Sequence, residues 1–301
     1  MILLFIILLN NISKTKKEFH KIKVCLCVIA KNEHLYINEF VEYYSKIGYN
    51  HIFIYDNNEI DGESYENIIK KYIKNGFVSI INYRGRINNT RPIFDAYKDC
   101  YEKNNLKYDW LSFFDMDEFL ELKPIGLKIQ NFLNNKKFEK CQNIKINWLI
   151  FNNPNSLFYE NKPLQQRINI ADFNSPLNKH IKSTVRGKLI KNYWFNIINP
   201  HSSYDNFTAC SSSGKIIDSY SPFNEPAEYS YAYLKHYYYK SFEEFCIKIY
   251  RGRCDVSVKD SNNFKLGLIK NIYLENRGNK DKLKIMEKIF KTDLNKIKDI
   301  Q

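Results

Sequence analysis

The sequence predicts an α/β fold, with a mostly parallel, Rossmann-like sheet flanked by helices, then an irregular half and C-terminal helices. Three observations carry this expectation. Apolar runs of strand length begin at positions 24, 51, 78 and 110, so their starts lie 27, 27 and 32 residues apart, the length of a strand with one crossover helix. Helical patterns or helix-boundary residues fill the intervals. Each run ends in polar residues, at 31–33, 56–58, 84–86 and 115–118. Right-handed crossovers bring such ends to one rim, so the four polar clusters should line a single crevice.

Taken in order, residues 23–30 (KVCLCVIA) are an unbroken apolar strand, followed by the polar turn Lys31-Asn32-Glu33 and a helical pattern over 35–47 that Gly48 ends. Residues 51–56 (HIFIYD) form the second strand, and a helix over 64–74 stops at Gly76. Residues 78–83 form the third strand, Pro92 opens a helix reaching about residue 103, and 110–115 form the fourth strand. Beyond Phe119 a helix over 126–134 precedes a strand-like run at 143–151. Short runs broken by Pro, Asn and Ser then occupy 152–226, more like an irregular antiparallel half than further βαβ units. Residues 229–239 are extended and aromatic, and Ser241-Phe242-Glu243-Glu244 is a capping box for a helix that stops at Gly252. The Lys-rich tail has an apolar stripe of Leu283, Met286, Ile289 and Phe290, which should pack on the body; a basic amphipathic helix can also lie on an anionic membrane. Three segments result: 1–22, 23–260 and 261–301.

With 301 residues, 44% of them hydrophobic, the chain can bury a large core. Its net charge of +13 suits phosphorylated substrates or an anionic surface, yet Lys, Asn and Ile are abundant throughout, and no nucleic-acid partner is expected. Residues 1–9 are apolar but shorter than the ~20 residues of a spanning helix. They also lack a basic leader, which leaves an N-terminus packed on the body, an interfacial anchor or the remnant of a longer one. Seven cysteines without C-x-x-C spacing argue against a zinc ribbon, and Cys25 and Cys27 read as small buried hydrophobes in a reducing compartment. A cytoplasmic or membrane-peripheral setting follows, with a secretory-pathway membrane as the alternative. No Gly-x-Gly-x-x-Gly follows the first strand and no Walker-type loop is present, so nicotinamide and P-loop chemistry are disfavoured.

The chain is organised around its fourth strand, which runs into Asp115-Met116-Asp117-Glu118-Phe119. A strand cannot bury such charge, so the acids should sit just past its end, where Asp-x-Asp can hold a divalent metal shared with a substrate's phosphates. The stretch resembles the D-x-D-E-F motif of nucleotide-sugar glycosyltransferases with the GT-A fold, most of all families 2 and 92. Similar agreement appears in Val28-Ile29-Ala30-Lys31-Asn32-Glu33, in Tyr55-Asp56-Asn57-Asn58, and in Ala96-Tyr97 with Cys100. The longest match runs from His236-Tyr237-Tyr238-Tyr239-Lys240-Ser241 to Arg251-Gly252, similar to the family's H-Y-x-x-K-S-x-E-E-F-x-x-K-x-x-R-G segment. A glutamine that usually precedes the A-Y-x-x-C helix is Ile93 here; Arg91 or Asp95 are its possible substitutes.

The resemblance implies a metal-dependent, inverting transferase that moves a sugar from a nucleotide-diphosphate donor, a UDP-sugar favoured, to a glycan or glycoconjugate acceptor. Mn2+ or Mg2+ would be held by Asp117, by Asp115, which could instead meet the ribose, and by His236 returning from the C-terminal half. Ala30, Lys31, Asn32, Glu33 and Asp56 would meet the nucleoside, and Lys240 and Arg251 would neutralise the leaving diphosphate. The base that takes the acceptor's proton should follow the metal motif: Asp205 and Glu225 are the candidates, with Asp172 a third and His201 close by in sequence. Trp148, Trp194 and Tyr237 to Tyr239 offer apolar faces to a sugar. Two rivals stand beside this reading, a metal-dependent phosphohydrolase and a carbohydrate- or polyanion-binding module without turnover.

Overall fold

A computed structural model describes residues 22–85, 91–188, 201, 207–254 and 258–298. Its first part alternates as expected: β1 (Val24–Ala30), α1 (Ile37–Lys46), β2 (His51–Asp56), α2 (Lys70–Lys74), β3 (Val78–Asn82), α3 (Pro92–Asn104) and β4 (Trp110–Phe113). β1 lies between β2 and β4, parallel to both, and β2 is parallel to β3. All seven residues of β1 are buried, because a central parallel strand is covered on both faces. Side chains alternate between those faces. Val24, Leu26, Val28 and Ala30 join the core beneath α1, with Phe40, Tyr44 and Phe119. Cys25, Cys27 and Ile29 join the core beneath α3, with Tyr97 and Phe113.

The second part comprises β5 (Glu118–Leu122), α4 (Ile129–Leu133), β6 (Asn143–Asn152), α5 (Leu164–Arg167), β7 (Ile170–Asp172), β8 (Ile181–Arg186), β9 (Ala209–Ser211), β10 (Ile216–Ile217) and β11 (Ala232–His236). β8 enters antiparallel between β4 and β6, so the sheet is mixed rather than mostly parallel. The ten-residue β6 changes partners along its length. Asn143 to Asn147 pair with β8, and Asn143 to Lys145 also with β9, whereas Trp148 to Ile150 pair with β11. β11 in turn pairs antiparallel with β5, which sets His236 opposite Glu118. Phe119 of β5 is fully buried against Phe40, Tyr43 and Tyr237, a burial worth about 1.5–3 kcal/mol. The Tyr44 hydroxyl donates to the Glu118 carbonyl (2.8 Å) and accepts from the Leu120 N–H (3.2 Å), fixing where β5 begins.

The capping box at Ser241 opens α6 (Phe242–Arg251), and Gly252, at φ 82°, ends it. There a Cβ would come within 2.8 Å of the Ser261 Oγ. α7 (Val258–Glu275) and α8 (Lys280–Lys298) follow. Met286, Phe290 and Leu294 pack with Cys246, Ile249 and Ile269 in a third apolar core, so the stripe on the tail faces the body. No helix among the described residues is long and apolar enough to cross a membrane.

Three further expectations are corrected. The helix expected over 64–74 is regular only at Lys70–Lys74, because Tyr65 is buried towards the rim, where its hydroxyl accepts from the Glu33 N–H (3.3 Å). Cys27 and Cys100 are joined by a disulfide that ties β1 to α3, and Cys141 and Cys210 by one next to the β6–β9 pairing, with Cα–Cα distances of 6.5 and 5.8 Å. Partners 73 and 69 residues apart leave no spacing signature in the sequence. Lastly, the acids after β4 are not simply set outside the sheet. Asp117 is 4% exposed and Glu118, the first residue of β5, is 0% exposed.

Candidate functional site

A cavity of about 440 Å³ opens at the carboxyl rim of β1, β2 and β4 and extends beneath α6 and the start of α7. The rim supplies Lys31, Glu33, Asn57, Asn58, Gly85, Asp115 and Asp117, so polar turns after four strands meet there. Trp148, His201, His236, Tyr238, Lys248 and Arg251 form much of the remaining wall.

A tight turn builds the acidic centre. The Glu118 N–H donates to the Asp115 carbonyl (3.1 Å), and Glu118 Oε2 accepts from the Asp115 N–H (3.0 Å). The Tyr237 N–H donates to the Asp117 carbonyl (2.9 Å), joining the end of β11 to the turn. Burial disfavours the charged form of these acids; at Asp115 and Asp117 neighbouring cations outweigh it. Asp115 Oδ2 lies 2.8 Å from Lys182 Nζ, and its Oδ1 accepts from the Tyr97 hydroxyl (3.3 Å). Asp117 Oδ2 lies 2.7 Å from Lys248 Nζ, and its Oδ1 lies 3.6 Å from His236 Nε2. Despite burial, Lys182 lowers the pKa of Asp115, and Lys248 followed by His236 holds that of Asp117 well below the carboxylate range. Burial, with the Asp115 charge added, pushes Glu118 well above its ordinary value even though Lys182 stands 3.8 Å away.

His236 is 2% exposed and burial lowers its pKa, favouring the neutral imidazole that can ligate a metal. Its Nδ1 has no hydrogen-bond partner among the described residues. Its ring packs edge-on to Trp148, centroids 4.2 Å apart, and Trp148 stacks on His180 at 4.8 Å. His201 also meets Trp148, its Nδ1 within 3.0 Å of the Ile181 carbonyl; burial and nearby Lys182 push its pKa down to about 3.

Other expected residues are engaged differently. Glu33 is 3% exposed, ion-paired with Arg251 and 3.5 Å from Lys240. Arg251 also donates to the Lys31 carbonyl (2.6 Å). Lys240, in the left-handed region at φ 54°, is held over the Tyr36 ring at 3.5 Å. Asp56 takes the Arg84 Nε at 2.7 Å, and the same guanidinium donates to the carbonyls of Glu59, Ile60, Gly62 and Glu63, shaping the loop that presents Asn57 and Asn58. Ala30, Asn32, Asp56 and Lys240 therefore support the rim without lining the cavity, whereas Lys31, Glu33, Asp115, Asp117, His236 and Arg251 line it. Glu225 lies outside it, 3.6 Å from Lys179, and Asp172 does not line it either. Arg86, Trp194, Asp205 and the apolar residues 1–9 lie outside the described residues.

A family model for glycosyltransferase family 92 matches residues 20–272. The chain belongs to glycosyltransferase family 92. A family 92 protein of Ricinus communis is 27% identical over 121 residues, covering 38% of this chain and 20% of that protein. One of Arabidopsis thaliana is 30% identical over 113 residues, covering 35% and 18%. The chain thus spans about a fifth of the length of the curated relatives it matches. Among solved structures, S. aureus TarS 1-349 in complex with UDP is 14% identical at a TM-score of 0.41, covering 86% of this chain and 74% of that one. The mannosyltransferase PcManGT from Pyrobaculum calidifontis, in complex with GDP-Man and Mn2+, is 10% identical at a TM-score of 0.31, covering 51% and 43%.

For a metal, the test is the donor chemistry. Among the described residues no group of three or more His, Cys, Asp or Glu side chains is placed to hold an ion, so Asp115, Asp117 and His236 do not close on one point. Asp117 Oδ1 and His236 Nε2 nevertheless stand side by side at the cavity wall. One carboxylate oxygen and one imidazole fit two positions of a small divalent cation that completes its shell with water and phosphate oxygens.

Lys182 and Lys248, which neutralise the acids, received no role from the sequence. Lys182 sits in IKSTVR, whose alternation of Ile181, Ser183 and Val185 with Lys182, Thr184 and Arg186 is a strand signal inside a stretch read as irregular. Lys248 lies seven residues after Ser241, on the α6 face that meets the acids.

Proposed function

We propose that this chain is a metal-dependent, inverting glycosyltransferase of the GT-A type, taking a nucleotide-diphosphate sugar, a UDP-sugar favoured, to a hydroxyl of a glycan or glycoconjugate. The observation that carries the reading is the juxtaposition of Asp117 and His236, facing one cavity with the strand-end turns and the cations of α6. Asp117 and His236 would hold Mn2+ or Mg2+, which supplies positive charge to the leaving diphosphate. The rim turns at Lys31, Asn57 and Asn58 would take the nucleoside, with Asp56 and Arg84 setting the shape of that loop. Arg251, kept in place by Glu33, would add charge beside the diphosphate. Trp148 and Tyr238 would offer ring faces on the acceptor side. Asp205 is kept as the candidate base, since Glu225 is turned towards Lys179 away from the cavity. The two disulfides favour an oxidising, secretory-pathway setting over a reducing one.

The test is the thermal shift of the purified protein with UDP, GDP and CMP species, with and without Mn2+, repeated on Asp117→Ala. A ligand that binds only the folded state raises apparent stability by mass action. The expected result is Mn2+-dependent stabilisation by one nucleotide class, lost in D117A. No shift with any nucleotide would remove this reading.

A further inference from the structure

The two acids of the turn are neutralised by two lysines held in very different ways. Lys182 rises from the second residue of β8, its side chain is wholly buried, and it lies between Asp115 Oδ2 (2.8 Å) and Glu118 Oε1 (3.8 Å). The Lys182 ammonium is out of contact with solvent and serves as a fixed counter-charge. Lys248 reaches Asp117 from α6 on the cavity side, with 24% of its side chain exposed. Its Nζ also donates to the Tyr238 carbonyl (3.3 Å) and lies 4.1 Å above the Tyr238 ring.

We propose that Lys248 is an exchangeable internal cation: it holds Asp117 in the ligand-free protein and leaves that carboxylate when a divalent cation arrives with the nucleotide diphosphate. This inference rests on the metal-dependent reading above. A small divalent cation and an ammonium compete for one carboxylate, because like charges at such distances repel strongly. The lysine has somewhere to go. Its flexible stem carries a compact charge with three rotatable donors, and the Tyr238 ring and carbonyl are already in contact with it. Once released from Asp117, the ammonium remains in the cavity as an added cation for the diphosphate. Its neighbours do not exchange partners in this way. Arg251 is tied to Glu33 and the Lys31 carbonyl, and Lys240 is 6% exposed and faces Glu33.

Two consequences distinguish this from a merely structural ion pair. Metal alone should bind weakly, because it must displace Lys248. Metal and nucleotide should bind cooperatively, because the displaced ammonium is drawn to the phosphates.

The experiment is calorimetric titration of Mn2+ alone, then UDP with and without Mn2+, into wild type, K248M and K248R, each first checked by thermal unfolding. K248Q replaces K248M should the latter not fold. K248M is expected to bind Mn2+ alone about tenfold tighter or more, since a competing positive charge is gone, and to bind UDP in the presence of Mn2+ several-fold more weakly than wild type. K248R, which keeps a cation on Asp117, should bind Mn2+ as weakly as wild type. Mn2+ affinity that is unchanged or weaker in K248M, but lost in D117A, overturns the exchange and leaves the metal-dependent reading standing. No Mn2+ binding by any variant, with or without UDP, overturns both.

Discussion

Replacing Glu244 by Gln tests how α6, which carries Lys248 and Arg251, is held against the body. Both carboxylate oxygens of Glu244 take the Arg167 guanidinium, with the Ser241 N–H at 3.0 Å and the Tyr36 hydroxyl as further donors. Each side chain of the ion pair is 3% exposed. Burial would raise the acid, but the hydrogen bonds from Arg167, Ser241 and Tyr36 outweigh it and bring the pKa from 4.5 down to about 2. That difference corresponds to about 3 kcal/mol of stability. Because the folded value lies below the unfolded one, the contribution is fully present above about pH 4.5 and fades as the pH falls towards 2. The substitution also leaves Arg167 buried without a counter-charge, a loss of about 3–5 kcal/mol against a total stability on the order of 5–15 kcal/mol. Urea unfolding of both proteins at neutral pH and at steps down to about pH 3 reads both effects. E244Q should be less stable by several kcal/mol at neutral pH and should lose less stability on acidification than wild type. A variant within about 0.5 kcal/mol of wild type at pH 7, the scatter typical of surface substitutions, would refute this account of the anchor.

Lys182→Met should cost on the order of 1–3 kcal/mol in urea unfolding, because Asp115 then loses the cation that holds its carboxylate ionised; a loss under about 0.5 kcal/mol would mean that Lys182 is not its counter-charge. Thiol titration of denatured, unreduced protein should find three reactive groups, Cys25, Cys246 and Cys254, and seven after reduction. Seven before reduction would sink the disulfide pairing and the oxidising setting with it.

Much of the first half was legible in the sequence because its signals are local. His51–Asp56 was read to the residue, and Pro92 marked the start of α3. The capping box at Ser241 and the stop at Gly252 both appear as read. Each depends on a few adjacent residues: a cap, a proline, a left-handed glycine or an unbroken apolar run. β8 escaped because its six residues follow a broken, Asn-rich stretch and carry a lysine and an arginine. Only insertion between β4 and β6 makes it a central strand.

From the sequence alone came the α/β class, the strand-end rim and the acidic turn that the chain is built around. Tertiary structure alone decided how that turn carries its charge. The cations that compensate Asp115 and Asp117 lie 67 and 131 residues away, on β8 and α6, and no local pattern records which lysine will meet which acid. It also decided that four cysteines pair and that Asp56 is held by Arg84. The physical reason is the same in each case. Strand and helix signals are written by neighbours in sequence, whereas buried charge must be balanced by whatever the folded chain brings within a few ångströms.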